Sequence, residues 1–328
     1  SSVVLVLLLI SKSEILSALG HKELLPFIFS FILSFNLLII FYQRIIQLNG
    51  YLNNFNYIIL FQNFIWLLSI ILSINIIDNK LYALFIASLT SLLISSIATI
   101  IILFNNLNIR IKFDFYLLKA SMIEGFKMQI GLVASIIGTQ LGIFILASKI
   151  DNESAGIYSV SIGLVNMLLI VPNSIRIVFQ SRANKYLALY KSVEVQTLIT
   201  FKLTFILMVF FCIIFIVLGK DIVFFLYGVN YVPSYEPSLI LLFYIIFRSL
   251  GSSFGTYFGI EKQFWFSSKS IIVTVIINFL LSLHLSKNFG IYGVALATSV
   301  SWFIWFIIHT TKYLKMTKTK ANYLIPKV

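Results

Sequence analysis

Cysteine is almost missing from this chain of 328 residues: the single Cys212 lies inside an apolar run. That excludes an intrachain disulfide framework and a cysteine-based zinc cluster, and leaves Cys212 to be read as a small buried or lipid-facing side chain. Histidine is as sparse, and His21, His284 and His309 are too scattered to form a metal constellation. Charge is scarce too, at 11% of residues, where a soluble domain carries about 25%. Acidic residues are scarcest, 11 against 24 Lys and Arg. Several sit in short connections, such as Asp151-Asn-Glu153 and Lys220-Asp221, where they read as helix-terminus and topology residues. No G-x-S-x-G, H-E-x-x-H, P-loop or dinucleotide-binding fingerprint occurs. These absences point away from an enzyme and from any cofactor or bound metal.

What the chain has instead is apolar length. Sixty per cent of its residues are hydrophobic and the mean hydropathy is +1.01. A hydrocarbon core of about 30 Å takes about 20 helical residues to cross. Runs of that kind are read at Leu24–Gln43, Ile58–Ile77, Leu81–Ile109, Met128–Ser148, Ser154–Ile175, Leu203–Gly219, Ser238–Ile260, Ser270–Ser286 and Asn288–Thr311. Val3–Ile10 is too short to cross alone. Because the chain opens on Ser1-Ser2 instead of Met, this run is read as the end of a helix whose beginning is missing. The expectation is an all-α polytopic membrane protein with ten helices here, the first partial.

Basic residues set the expected orientation, since cytoplasmic loops keep an excess of Lys and Arg. A cytoplasmic C-terminus places Lys312, Lys315, Lys318, Lys320 and Lys327 inside. The same side then receives Lys262, Lys269, Arg176, Arg182, Lys185, Lys191, Lys202, Arg110, Lys112, Lys119, Lys127 and Arg44. With Arg248, near a helix end or within one, that is 18 of the 24 basic residues. The net charge of +13 is thereby explained by topology and by attraction to anionic lipid head groups, with no nucleic-acid partner required.

The longest gaps fall on the cytoplasmic side, at about Phe104–Lys127 and Gln180–Lys202. The expected organisation is an incomplete N-terminal helical lobe over 1–104 and an interfacial connector over 105–125. A C-terminal six-helix lobe follows over 126–314, and then a basic cytoplasmic tail over 315–328. Small residues recur at helical spacing in Gly138-Thr-Gln-Leu-Gly142, in Gly293, Ala297 and Ser301, and in Gly156, Ser159 and Gly163, marking faces for close helix packing. Pro172 lies within an apolar run, where a proline removes a donor and kinks the helix, with Asn166 and Asn173 flanking it. Bent helices of this kind border cavities in transporters.

Ionisable residues within spans cost at least about 2.5 kcal/mol at the bilayer centre and face a cavity or a partner. Arg248, near the middle of its run, is the sharpest case. Arg176, four residues after Pro172, and Lys127, at the start of its span, lie closer to the cytoplasmic edge, where they can snorkel. If the three line one cavity, they form a cationic site suited to phosphate or pyrophosphate. Gln140 and Asn166 complete the candidate cavity set, with Pro172 as the hinge.

Two stretches carry a family resemblance. Asp151-Asn-Glu-Ser-Ala-Gly-Ile-Tyr-Ser-Val-Ser, continuing to Val171-Pro-Asn-Ser-Ile, looks like the short outer loop, G-x-Y start and mid-span proline of polysaccharide flippases. Leu226-Tyr-Gly-Val-Asn-Tyr, then Asn278-Phe-Leu-Leu-Ser-Leu and Asn288-Phe-Gly-Ile-Tyr-Gly-Val-Ala-Leu-Ala-Thr-Ser, are similar to that family's C-terminal end. The chain thus resembles the Wzx-type O-antigen and polysaccharide flippases of the multidrug/oligosaccharidyl-lipid/polysaccharide exporter superfamily, over about 115–314. It departs from them at Leu141-Gly-Ile-Phe144, where many relatives place a polar or acidic residue. It departs again at Ser282, where the motif's second asparagine would fall. The resemblance implies a 12-helix, two-lobe MATE-like bundle in the bacterial inner membrane, missing its first helices here. It implies translocation of undecaprenyl-pyrophosphate-linked oligosaccharide by alternating access, among membrane lipids. A polysaccharide polymerase and a chain-length regulator are the implied partners. Two other readings stay open: a MATE-like drug exporter, for which acidic intramembrane residues are expected, and a membrane polymerase or ligase, which needs a large outer catalytic loop.

Overall fold

The computed structural model describes residues 51–76, 80–106, 114–190 and 192–318, together with Ile40, Gln43, Ile45 and Ile46. Among the described residues every regular element is a helix. The expected runs Val3–Ile10 and, but for Ile40 and Gln43, Leu24–Gln43 lie outside them, as does Arg44. Two compact units divide the chain between Lys112 and Phe113.

In the first unit, α1 (Leu52–Ile76) packs along α2 (Lys80–Asn106). Both are apolar, and buried serine and threonine hydroxyls along them are absorbed locally. Ser73 and Thr99 donate to carbonyls four residues back, at 2.6 and 2.7 Å, while Thr90 donates to Ser69 of α1 at 2.9 Å. That satisfaction is what a lipid environment demands.

The second unit runs through α3 (Phe115–Lys149), α4 (Asn152–Met167), α5 (Ile170–Tyr190) and α6 (Glu194–Tyr227). After a 3-10 turn (Val229–Ser234) come α7 (Tyr235–Ile260) and α8 (Phe264–Thr317). Asp114 caps α3 by accepting from the amides of Tyr116 and Leu117, and Asp151 caps α4 by accepting from the amide of Ser154 at 2.6 Å. The acids of these short connections therefore serve as helix caps, which fits the N-terminal preference for an aspartate oxygen. α8 is 54 residues long and breaks at Gly290 (φ 54, ψ −128) into arms 264–289 and 291–317. This is a hairpin of the two expected spans Ser270–Ser286 and Asn288–Thr311, with its corner at the glycine. Among the described residues six stretches are long and apolar enough to cross a membrane, including Asn53–Asn75 of α1, Phe115–Lys149 and Asn152–Ala183.

Helices overrun the hydropathy boundaries. Residues 107–113 of the expected 105–125 connector lie outside the described set, but from Phe115 onward it is the opening of α3, continuous with the Met128–Ser148 span. At 35 residues α3 is about 52 Å long. The expected Gln180–Lys202 gap is largely helical, because α5 continues to Tyr190 and α6 starts at Glu194. Hydropathy reports where lipid ends, whereas Ala, Leu and Lys keep the backbone helical past that point.

Close packing follows some of the small-residue faces. A Cβ on Gly138 would meet Val275 at 2.6 Å, one on Gly142 would meet Tyr158 at 2.6 Å, and one on Gly293 would meet the Leu285 carbonyl at 2.3 Å. Gly156 and Gly163 have nothing within 4 Å of a Cβ, so that face is open. Buried polar groups tie the same helices together. Asn278 receives hydrogen bonds from Ser282 (3.1 Å) and Thr298 (3.4 Å) and donates to the Gly138 carbonyl (3.5 Å), while Tyr158 meets Thr298 at 3.1 Å. Cys212 is buried with Met208, Phe215 and Tyr244 in the main apolar cluster.

Candidate functional site

α7 places Tyr244 and Arg248 one turn apart on one face, at its midpoint. The Arg248 side chain is half-buried. Its Nη1 donates to the Tyr244 hydroxyl, and its guanidinium carbon lies 4.9 Å from the centre of the Trp302 ring and 5.6 Å from that of Tyr244. The Tyr244 hydroxyl in turn donates to Asn166 Oδ1 at 2.9 Å. Arg248 and Asn166, both marked by the sequence, are thus joined through a tyrosine that was not. The aromatic floor offsets part of the cost of holding a cation here, since a partly desolvated guanidinium over an aromatic face gains about 0.5–2 kcal/mol.

The floor is itself braced. Trp302 meets Tyr244 edge-on at 5.6 Å and Trp305 at 5.1 Å, and Trp305 lies 3.9 Å from His309. His309, fully enclosed, meets Ser270 Oγ with its Nε2 at 2.8 Å. Trp305 leans on α7 at Gly251, where a Cβ would stand 2.3 Å from its ring. Below Arg248 of α7, the column Trp302, Trp305 and His309 therefore runs down the second arm of α8, with an absent side chain on α7 making room for it.

Asn166 occupies the last turn of α4, at a break. The amides of Leu168 and Leu169 donate three residues back, to Val165 (3.1 Å) and Asn166 (3.0 Å), and helical pairing resumes when Asn173 donates to Leu169 (3.1 Å). Pro172 stands in the first turn of α5, where its missing amide leaves no bond unmade. The interruption lies within four residues upstream of it, where the ring would otherwise crowd the carbonyl at position 168.

The remaining candidates lie on α3 and α5. Arg176 is half-buried on α5 and donates to Asn173 Oδ1 of its own helix at 3.2 Å. Lys127 pairs with Glu124 at 2.7 Å, also within its own helix. Ser268 donates to the Lys127 carbonyl, and Ser270 meets His309. The Lys127 backbone is therefore set at least about 13 Å from the level of Trp302, nine or more residues of helical rise. Gln140 is exposed on α3.

Among the described residues no carboxylate pairs with Arg248, and no group of three His, Cys, Asp or Glu could hold a metal ion. A half-buried guanidinium with fixed orientation and no protein counter-ion there is equipped to take an anion through its planar fork. Tyr244 was findable from the i, i+4 spacing to Arg248. Trp302 gave no signal, because an aromatic in a charge-free run looks like packing. No known family model matches the chain, and neither does any curated protein or solved structure compared with it.

Proposed function

We propose that this chain is a polysaccharide flippase of the bacterial inner membrane, with a two-lobe MATE-like architecture and a cytoplasmic C-terminus. It moves undecaprenyl-pyrophosphate-linked oligosaccharide units outward by alternating access, for O-antigen, capsule or exopolysaccharide synthesis. A polymerase and a chain-length regulator act on the product. The observation that carries this reading is Arg248, mid-helix, oriented by Tyr244 and Trp302 and free of any carboxylate partner among the described residues. A pyrophosphate offers the oxygens that a guanidinium fork binds in pairs. The break between α4 and α5, next to Asn166, supports a helix that can bend beside the bound head group. The hairpin of α8 also supports that architecture, since one 54-residue element supplies two crossings.

A drug exporter of the same architecture is the second reading. Against it stands the placement of acids. Asp114, Asp151, Glu153, Glu194, Glu236 and Glu261 lie at or next to helix ends, and Glu124 and Asp221 lie within α3 and α6 but outside their apolar runs, whereas a site for cationic drugs calls for acids at membrane depth. The test is export of surface polysaccharide in a flippase-null strain. The intact protein restores it, Arg248→Ala lowers it at least about tenfold, and normal export by that variant at equal expression would overturn the reading.

A further inference from the structure

We propose that the opening of α8 and the overhanging first part of α3 hold an anionic glycerophospholipid. Its phosphodiester lies between the ammonium groups of Lys127 and Lys269, and its acyl chain lies in the adjoining groove. This site is separate from the Arg248 site and does not rest on the flippase reading.

The geometry begins where the two helices touch. Ser268 Oγ donates to the Lys127 carbonyl, and at Gly131 a Cβ would stand 2.6 Å from Ser268 Oγ and 3.0 Å from its Cα. The first arm of α8 runs alongside α3 from there, since Gly138 meets Val275 one stretch further on in both helices. α8 starts at Phe264, so α3 continues towards its own N-terminus with no α8 beside it. The bared flank forms an open groove of about 510 Å³ with Met122, Ile123, Phe126, Lys127, Ile130 and Trp265 as its walls. Phe126 is 69% exposed and Met122 67%. Apart from Lys127 the walls are apolar, which suits an acyl chain and offers a water-soluble ligand little to bond.

Charge at the mouth selects the head group. Lys269 is exposed, with its ammonium 5.2 Å from the centre of the Trp265 ring, and Lys312 lies 5.4 Å from that of neighbouring Phe266. Glu124 balances Lys127. The mouth keeps a positive excess that complements a phosphodiester with net negative charge and gives a zwitterionic lipid no advantage. A tryptophan beside lysines is also the pairing that anchors a helix at head-group level.

Taking one effective cationic charge, the preference for phosphatidylglycerol over phosphatidylcholine is about fivefold. The full chain is placed in phosphatidylcholine nanodiscs that contain a small fixed fraction of either dibrominated phosphatidylglycerol or dibrominated phosphatidylcholine. The Trp265 signal is the emission difference between the intact protein and Trp265→Phe. Per mole, the brominated phosphatidylglycerol quenches that difference about fivefold more efficiently, and the excess disappears in Lys127→Gln/Lys269→Gln. Should the double variant fail to fold, Lys269→Gln alone and a salt titration of the intact protein carry the test, because the excess shrinks as salt screens the mouth. Equal quenching by both lipids, an excess that survives these changes, or no quenching by either would overturn the proposal. The last would put a protein segment in the groove.

Discussion

Tyr244→Phe removes one oxygen atom from the candidate site and leaves the ring against Trp302. The lost hydroxyl accepts from Arg248 and donates to Asn166 at 2.9 Å. A hydrogen bond to a charged group contributes about 1.5–3 kcal/mol and a neutral one about 0.5–1.5 kcal/mol. Arg248 and Asn166 are both only half-buried, so water replaces part of each bond, and the net loss expected is about 2–3 kcal/mol. Equilibrium unfolding of the purified protein in a mild detergent measures it, with Tyr116→Phe as the control, because Tyr116 is 79% exposed. The same variant should lower export, because Arg248 then loses the group that aims it. A change within about 0.5 kcal/mol, the ordinary scatter of surface substitutions, would refute the claim that Tyr244 orients the guanidinium.

Two glycines give further checks. Gly251→Ala puts a methyl 2.3 Å from the Trp305 ring, so that ring must move. The expected cost is about 1–3 kcal/mol, with a shift in tryptophan emission as Trp305 leaves Trp302 and His309, and unchanged emission and stability would contradict the column. Gly290→Ala has open space around it but a φ of 54°, so it should cost about 1–3 kcal/mol through backbone strain alone. Gly156→Ala, in regular helix and equally open, should be neutral or stabilising by up to about 1 kcal/mol. Unfolding midpoints that rank these two variants the other way would contradict the hairpin.

The apolar runs from Ile58 onward were legible in the sequence because burial in lipid imposes composition directly. Among the described residues each coincides with helix, apart from the interruption between Met167 and Ile170 and the corner at Gly290, although the helix ends do not follow. α5 passes through Arg182 and Lys185 to Tyr190, and α6 passes through Lys220 and Asp221 to Tyr227, since charge ends a span without ending a helix. The corner at Gly290 sits past Asn288, where hydropathy begins the next span, because a positive φ is a backbone property that flanking hydropathy does not report. Within the site, Arg248 stood out by cost and Asn166 by its place before Pro172. The partners of Arg248 come from residues 4 and 54 positions away. The near one obeys helical spacing, and the far one depends on how the second arm of α8 packs on α7. Arg176 and Lys127 each hold a polar partner three residues away on their own helix, and charge near a span end reads the same in sequence whether it faces a cavity, a lipid head group or its own helix.

Binding of a lipid-linked pyrophosphate at Arg248 is measured by titrating farnesyl pyrophosphate, with farnesol as the neutral comparison, against the protein in phosphatidylcholine nanodiscs, for the intact chain and for Arg248→Ala. The intact chain should bind the pyrophosphate at least about tenfold more tightly than the alcohol, and Arg248→Ala should lose about 1.5–3 kcal/mol of that preference. A variant that discriminates as well as the intact chain, or an intact chain that does not discriminate, would contradict pyrophosphate binding at Arg248.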